Sequence, residues 1–139
     1  MRREETKIRV RYGETDQMGV AYHANYLTWC EIGRTEWIRS LGYPYSEFEK
    51  RGVLLPVLEA HLSYLLPARY DDEVTVDTWL SFYTGVRLTF SYEIFRKEMS
   101  GEKILLASGY TKHGWVNRDF RPVPLKKIWP EVDAVLRAL

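Results

Sequence analysis

The residue types best suited to chemistry are clustered between positions 16 and 26, directly before the longest helical pattern of the chain. Asp16, Gly19, Tyr22 and His23 follow one another there. A carboxylate can act as a base or a nucleophile, and an imidazole can transfer a proton near neutral pH. We therefore expect the chemistry of the protein to lie in this segment.

A helix must follow this segment. An apolar stripe at helical spacing begins at Tyr26 and comprises Tyr26, Leu27, Cys30, Gly33, Trp37, Ile38 and Leu41. Gly42 tolerates the left-handed conformation that ends a helix, which predicts a helix of about 16 residues, roughly 24 Å long. Arg34 lies within this apolar stripe. A charged residue there can form an ion pair at an interface, but more often such an arginine snorkels, with its charged end in solvent.

The rest of the chain is predicted to be mainly sheet. Apolar and polar residues alternate over residues 6–12, 54–66, 74–83, 87–96 and 104–116. Turns at residues 84–85 and 100–102 place the last three strands at hairpin spacing. A short helical turn after Gly42 and a terminal helix over residues 124–139 complete the pattern. The order predicts an α+β domain whose antiparallel sheet curls around the long helix.

Length and composition describe a single domain over residues 1–139. The chain is 45% hydrophobic and 28% charged, and no Ser/Gly/Pro-rich linker divides it. A net charge of +1 does not indicate a nucleic acid or an anionic membrane surface as partner. We expect neither a signal peptide nor a membrane span, because no long apolar segment is present. The lone Cys30 cannot form an internal disulfide, which fits a cytoplasmic location.

Residues 12–37, YGETDQMGVAYHANYLTWCEIGRTEW, resemble the opening motif of the hotdog-fold thioesterases related to 4-hydroxybenzoyl-CoA thioesterase. The likeness is closer to the YbgC-like branch of acyl-CoA thioesterases. The motif is matched at six positions: Asp16, Gly19, Tyr22, His23, Asn25 and Tyr26. Similarity to the family continues in RTEW at 34–37, ARYDDEV at 68–74 and VNRDFRPVPL at 116–125. Six matches in register at a predicted strand-to-helix junction are hard to obtain by chance.

The resemblance implies a hotdog-fold enzyme that hydrolyses an acyl-CoA to free acid and CoA, without a cofactor or metal. Asp16 would be the base or nucleophile, and the backbone N–H at His23 would donate to the thioester oxygen as it gains charge. The His23 imidazole would give a proton to the departing thiolate or bind the thioester oxygen. Four further residues would contact the substrate: Gly19, Tyr22, Asn25 and Tyr26.

Structural interpretations compete with these roles. An aspartate before a helix most often shapes a turn, and Asn25 and Tyr26 can simply begin the helix. A Cys30–His23 nucleophile pair is rejected, because Cys30 belongs to the buried stripe. Glu59 and His61 share a strand face and are more readily explained by a hydrogen bond across strands or subunits than by a metal or acid–base site.

Two other functions and the assembly state also stay open at this point. A hotdog hydratase or dehydratase would act on acyl thioesters with the same scaffold, and a non-catalytic module would only bind acyl-CoA. Unpaired sheet edges predict a homodimer with a continuous sheet, and its doubling to a homotetramer follows the family. The sequence does not rank the cations that would hold the CoA phosphates: Arg69, Arg87, Arg96, Lys97, Lys112 and Arg121.

Overall fold

Five antiparallel strands and four helices make up residues 2–139, the part of the chain that the computed structural model describes. The strands are β1 (Arg3–Arg9), β2 (Val57–Tyr64), β3 (Glu73–Tyr83), β4 (Arg87–Lys97) and β5 (Lys103–Gly114). The helices are α1 (Asn25–Ser40), α2 (Tyr45–Lys50), α3 (Leu125–Ile128) and α4 (Pro130–Arg137). The strands form one sheet in the order β1-β3-β4-β5-β2. The predicted α+β class with an antiparallel sheet is confirmed.

The first strand lies earlier in the chain than the alternation predicted. β1 pairs with β3 from Arg3 opposite Trp79 to Arg9 opposite Glu73, so it stops where β3 begins. The predicted strand over residues 6–12 is therefore wrong at its C-terminal end. Tyr12 belongs to a 3₁₀ turn and is 78% exposed. Val10 still exchanges backbone hydrogen bonds with Asp71 and Asp72 ahead of β3, but the 3₁₀ turn begins at Tyr12, so the alternation continues in the sequence without a strand.

Helix α1 has the predicted length of 16 residues and packs against β1 and β3. Gly42 adopts the predicted positive φ, at 93°. The buried face is rotated from the predicted stripe, because Leu27 is 42% exposed whereas Trp29 is fully buried. Trp29 escaped prediction because an indole N–H needs a buried acceptor, and the sequence does not show one.

The C-terminal segment forms two short helices instead of the one helix predicted over residues 124–139. Trp129 lies between them with φ −148° and ψ 78°, outside the helical region. Pro130 follows it, and a residue before proline is disfavoured in the helical conformation by contact with the proline ring. Pro130 then occupies the first turn of α4, where its missing N–H costs nothing.

Side-chain contacts decide the structural hypothesis for Glu59 and His61. Glu59 accepts a cross-strand hydrogen bond from Tyr110 Oη at 3.1 Å, and His61 stacks on the same ring, as the structural interpretation predicted.

Cys30 is buried, which raises the pKa of its thiol to about 12. No helix among residues 2–139 is both long and apolar enough to cross a membrane.

A chain of buried polar groups lies between α1 and the sheet. His113 is fully buried, and its Nε2 lies 2.7 Å from Thr111 Oγ1, which lies 2.6 Å from Tyr92 Oη. Arg34 Nη1 donates to Tyr92 Oη at 3.5 Å. Burial lowers the pKa of His113 to about 4, and the positive charge of Arg34 acts in the same direction. His113 is therefore neutral in the folded protein.

The buried His113 should make the protein sensitive to acid. Its unfolded-state pKa of about 6.5 exceeds the folded value, so the unfolded chain binds the proton first as pH falls. The stability from neutral His113 is present above about pH 6.5 and is lost towards pH 4, by up to about 3 kcal/mol. Denaturant unfolding at several pH values measures this slope. His113→Gln should flatten it, whereas the matched change His61→Gln, at an exposed histidine, should not.

Candidate active site

A cleft of about 280 Å³ lies where the loop after β1 meets the start of α1 and the end of β2. The loop contributes Asp16, Met18 and His23 to its wall, and α1 contributes Tyr26. The opposite wall consists of residues 64–67, which begin with Tyr64, the last residue of β2. The cleft therefore brings a carboxylate, an imidazole and an apolar surface together.

The Asp16 loop is a tight, internally bonded turn. Asp16 N donates to Val20 O, and Gly19 N donates to Asp16 O, both at 2.9 Å. Asp16 Oδ1 accepts a hydrogen bond from Met18 N at 2.9 Å. Within residues 2–139, the second carboxylate oxygen, Oδ2, accepts no hydrogen bond and joins no ion pair. One oxygen of Asp16 thus shapes the loop, and the other is available for chemistry.

The backbone at the start of α1 carries unused donors. Tyr22 N donates to Glu14 O, and Asn25 N donates to Tyr22 O. The N–H groups of His23 and Ala24, which lie between them, have no acceptor within the described part of the chain. Helix N-termini concentrate unpaired N–H groups and partial positive charge. These two groups can therefore stabilise an oxygen that gains negative charge.

Aromatic side chains hold the His23 segment in place. The ring centroids of Tyr22 and His23 are 4.5 Å apart, and those of His23 and Tyr64 are 6.0 Å apart. Tyr64 Oη donates to His23 O at 3.0 Å. Tyr26 packs edge-on against Tyr64 and accepts a hydrogen bond from Ala68 N at 3.2 Å. Hydrogen bonds thereby join Tyr64, at the end of β2, to His23 before α1, and Ala68, after β2, to Tyr26 within α1.

The six motif residues divide into two groups. Asp16, His23 and Tyr26 line the cleft, and Gly19 lies in the turn beside it. Tyr22 and Asn25 are not part of its wall. The side chain of Asn25 instead donates to Glu14 O at 2.8 Å. Tyr64 and its neighbours were not predicted as cleft residues, because their only signal in the sequence is apolar character at a strand end.

A larger groove of about 450 Å³ is lined by residues of β2, β3, β4 and β5, among them Glu59, Phe82, Thr89 and Lys112. Thr89 lies opposite Lys112 in the β4–β5 pairing, on the face away from α1. The carboxylate of Glu59 is 3.6 Å from Lys112 Nζ. This groove is larger than the Asp16 cleft, but its carboxylate is already paired and it has no helix start. The smaller cleft is the better candidate for catalysis.

Comparison with known proteins identifies the family. Residues 10–139 match the thioesterase-like superfamily. The chain belongs to this superfamily. YneP of Bacillus subtilis, provisionally assigned as an acyl-CoA thioesterase, is 42% identical over 126 residues, covering 90% of this chain and 88% of YneP. The acyl-CoA thioester hydrolase YbgC of Escherichia coli O6:H1 is 33% identical over 91 residues, covering 66% of this chain and 68% of YbgC.

Solved structures support the same relationship. A DHNA-CoA thioesterase from Staphylococcus aureus matches with a TM-score of 0.91 and 36% identity, covering 98% of this chain and 89% of that one. A 4-hydroxybenzoyl-CoA thioesterase shares the fold with a TM-score of 0.82 at 19% identity, over 88% of this chain and 92% of that one. The predicted hotdog fold is therefore confirmed, and this member of the thioesterase-like superfamily is a thioester hydrolase.

Gly19 is expected to be required for loop geometry in this thioesterase. Its φ is 79°, and a Cβ at this position would meet no atom within 4 Å, so the backbone angle and not space demands glycine. A β-branched residue is strongly disfavoured at such an angle. Gly19→Val should lower thiol release by at least about tenfold, because the turn would displace Asp16.

Gly13 provides a matched control for this substitution. It lies three residues before Asp16, also has no atom within 4 Å of a Cβ, and does not have a positive φ. Gly13→Val should therefore keep most of the activity. Equal turnover in the parent protein and in Gly19→Val, measured on folded protein, would remove the proposed need for glycine.

Proposed function

We propose that the protein hydrolyses an acyl-CoA thioester to a free acid and CoA. The observation that carries this proposal is that Asp16 and His23 line one cleft, and that within residues 2–139 Asp16 Oδ2 and the His23 N–H have no hydrogen-bond partner. Thioester hydrolysis needs a base or nucleophile beside the carbonyl carbon and donors beside its oxygen. The names of YneP, YbgC and the Staphylococcus aureus enzyme support CoA as the thiol.

In this mechanism the thioester carbonyl oxygen accepts a hydrogen bond from His23 N–H, with Ala24 N–H adjacent. The partial positive charge of the helix start stabilises the tetrahedral state as the oxygen becomes negative. Asp16 then acts in one of two ways. As a base it takes a proton from the attacking water, and as a nucleophile it forms an acyl anhydride that water later cleaves. Both routes consume one water and release the acid and the CoA thiol.

The His23 imidazole is assigned to the leaving group. Its side chain lines the cleft and is held between the rings of Tyr22 and Tyr64. A histidine in the wall of such a cleft can give a proton to the departing sulfur or bind the thioester oxygen. The backbone donors remain when the imidazole is removed, so the reaction should depend less on the His23 side chain than on the Asp16 carboxylate.

The CoA phosphates need cations near the cleft mouth. Arg96 is already paired with Asp72 at 3.2 Å, and Lys112 lies beside Glu59. Arg69 follows Pro67, a cleft residue, by two positions, and its exposed side chain forms no ion pair within residues 2–139. Arg69 is therefore our first choice among the candidate cations.

Two other activities can be separated from hydrolysis in one experiment. A panel of acyl-CoA substrates is incubated with the protein while free thiol is measured, and an enoyl-CoA is followed in parallel for change at its double bond. Hydrolysis releases thiol, a hydratase or dehydratase changes the double bond and keeps the thioester, and a binding module does neither. Double-bond chemistry without thiol release would replace the proposed function by the hydratase alternative.

We further propose that the active form is a homodimer built on β2, or a tetramer of two such dimers. β2 is an edge strand, and several large apolar side chains on it and after it are exposed: Val57, Leu58, Tyr64, Leu65 and Leu66. An exposed apolar edge strand is suited to pairing with a second copy. Because Tyr64 and the residues after it line the cleft, such pairing would place the active site at the subunit interface.

Light scattering tests this assembly. The parent protein is expected to have twice or four times the mass of one chain. Ala60→Glu introduces a charge on β2, at an exposed position between the proposed subunits, and should lower both the mass and the activity. Ala134→Glu, at an exposed position of α4, is the matched control and should alter neither. A parent protein that is monomeric and fully active would contradict the proposal.

Asp16→Asn separates chemistry from loop shape. The Asn side chain keeps an oxygen that can accept the Met18 N–H bond now made by Asp16 Oδ1, so the turn should survive. It lacks the charge and basicity of a carboxylate. Thiol release should therefore fall by a factor on the order of 10²–10⁴ while the melting temperature changes little.

His23→Ala should reduce thiol release less than Asp16→Asn, because the backbone N–H at position 23 is unchanged. Both variants are measured beside the parent protein for kcat and for thermal unfolding. Near-parental kcat in Asp16→Asn would exclude Asp16 as the base or nucleophile.

A further inference from the structure

A buried carboxylate lies directly behind the Asp16 loop. Glu14 is only 6% exposed. Its Oε1 accepts a hydrogen bond from Arg11 N at 2.8 Å, and its Oε2 accepts one from Trp29 Nε1 at 3.0 Å. Trp29 is fully buried in the early part of α1. The Glu14 side chain is therefore held by Arg11 within the segment after β1 and connects that segment to α1 through the charge-assisted hydrogen bond from Trp29.

The backbone carbonyl of the same residue holds the other end of the loop. Glu14 O accepts hydrogen bonds from Tyr22 N and from Asn25 Nδ2, both at 2.8 Å. The bond to Tyr22 closes residues 14–22 into a ring that contains Asp16. His23, whose N–H is the proposed oxyanion donor, follows this closure directly. Glu14 thus contacts both flanks of the candidate catalytic groups without lining the cleft.

We propose that Glu14 is a positioning residue for thioester hydrolysis, which fixes the Asp16 carboxylate relative to the His23 N–H through its bonds to Trp29, Arg11 and Tyr22. This inference rests on the function proposed above. It also gives Asn25 a positioning role, because the Asn25 side-chain amide donates to the Glu14 carbonyl and does not line the cleft. An error of about 1 Å in such an arrangement can reduce turnover by about a hundredfold.

The charge of Glu14 is part of this role. Burial raises the pKa of its carboxyl, but the hydrogen bonds from Arg11 N, from Trp29 and from the Arg11 side chain outweigh burial and hold the pKa below its usual value. Glu14 is therefore ionised at neutral pH and presents an acceptor to each of two donors. A glutamine has one oxygen only. Its NH₂ group would face either Arg11 N–H or Trp29 N–H, and one contact would become repulsive.

Asp133 offers a matched control at the other end of β3. It is 3% exposed, and its carboxylate accepts hydrogen bonds from Tyr83 Oη at 2.6 Å and from Arg137 Nε at 2.8 Å. Like Glu14, it is a buried carboxylate bonded to an aromatic donor and an arginine. Tyr83 pairs with Leu88, whose partner in β5 is His113, whereas the cleft residue Tyr64 lies opposite Ala107, six residues earlier in β5. Asp133 is therefore bonded toward the other end of the sheet from the cleft.

Three variants test the inference by steady-state kinetics on thiol release, with the folded fraction of each determined by circular dichroism. Glu14→Gln removes the charge, and Trp29→Phe removes the indole donor while keeping an aromatic ring in the core. Both should lower kcat by about ten- to a hundredfold and leave KM within about threefold. Asp133→Asn should lower the unfolding midpoint and leave kcat per folded molecule close to that of the parent.

The outcomes distinguish this inference from the proposed function. No thiol release from the parent protein would remove the proposed function, and the inference with it. An active parent with unchanged kcat in Glu14→Gln or in Trp29→Phe would overturn the inference alone, as would an equal loss of kcat in Asp133→Asn. If Glu14→Gln does not fold, Trp29→Phe decides. Failure of both to fold, with Asp133→Asn folded, would make Glu14 a determinant of the whole fold and overturn its positioning role.

Discussion

The close contact between Gly33 of α1 and β3 determines where α1 lies on the sheet. A Cβ at Gly33 would come within 2.6 Å of Thr78 Oγ1 and within 2.8 Å of Val76 Cγ1, so only glycine permits this approach. Contacts of this kind leave little freedom to slide, because protein interiors are closely packed. Since a helix is rigid, its packed middle fixes its N-terminal end, and with it the N–H groups of His23 and Ala24.

Charged side chains serve two different purposes in this small protein. Glu14 and Asp133 are buried, and each carboxylate is bonded to an aromatic donor and an arginine, which compensates for its loss of water. Asp16 is less buried, and its Oδ2 has no hydrogen-bond or ion-pair partner within residues 2–139. A fully bonded carboxylate is a weak base and a poor nucleophile, so chemistry favours the incompletely bonded one. The structure thereby separates Asp16, the acid proposed to react, from the acids that hold elements together.

Much of this arrangement could be predicted from the sequence, and what could not has a physical reason. Helical periodicity predicted the bounds of α1 nearly to the residue. The motif identified Asp16, His23 and Tyr26, which line one cleft. Periodicity does not register hydrogen-bond partners, so it missed the burial of Trp29, whose N–H depends on Glu14. The cleft wall after β2 was also missed, because strand order decides which distant segment faces the helix start.

The position of the cleft beside β2 connects catalysis to assembly. Within one chain, α1 packs over β1 and β3, and β2 at the far edge of the sheet stays largely exposed on both faces. The cleft is bounded there by Tyr64 and the residues after it, and it is open to solvent on that side. Hydrogen bonds to a developing oxyanion are stronger where water is excluded. A second copy paired along β2 would cover this open side, so the apolar edge that promotes association would also provide the low-dielectric wall that the Asp16 site lacks in a single chain.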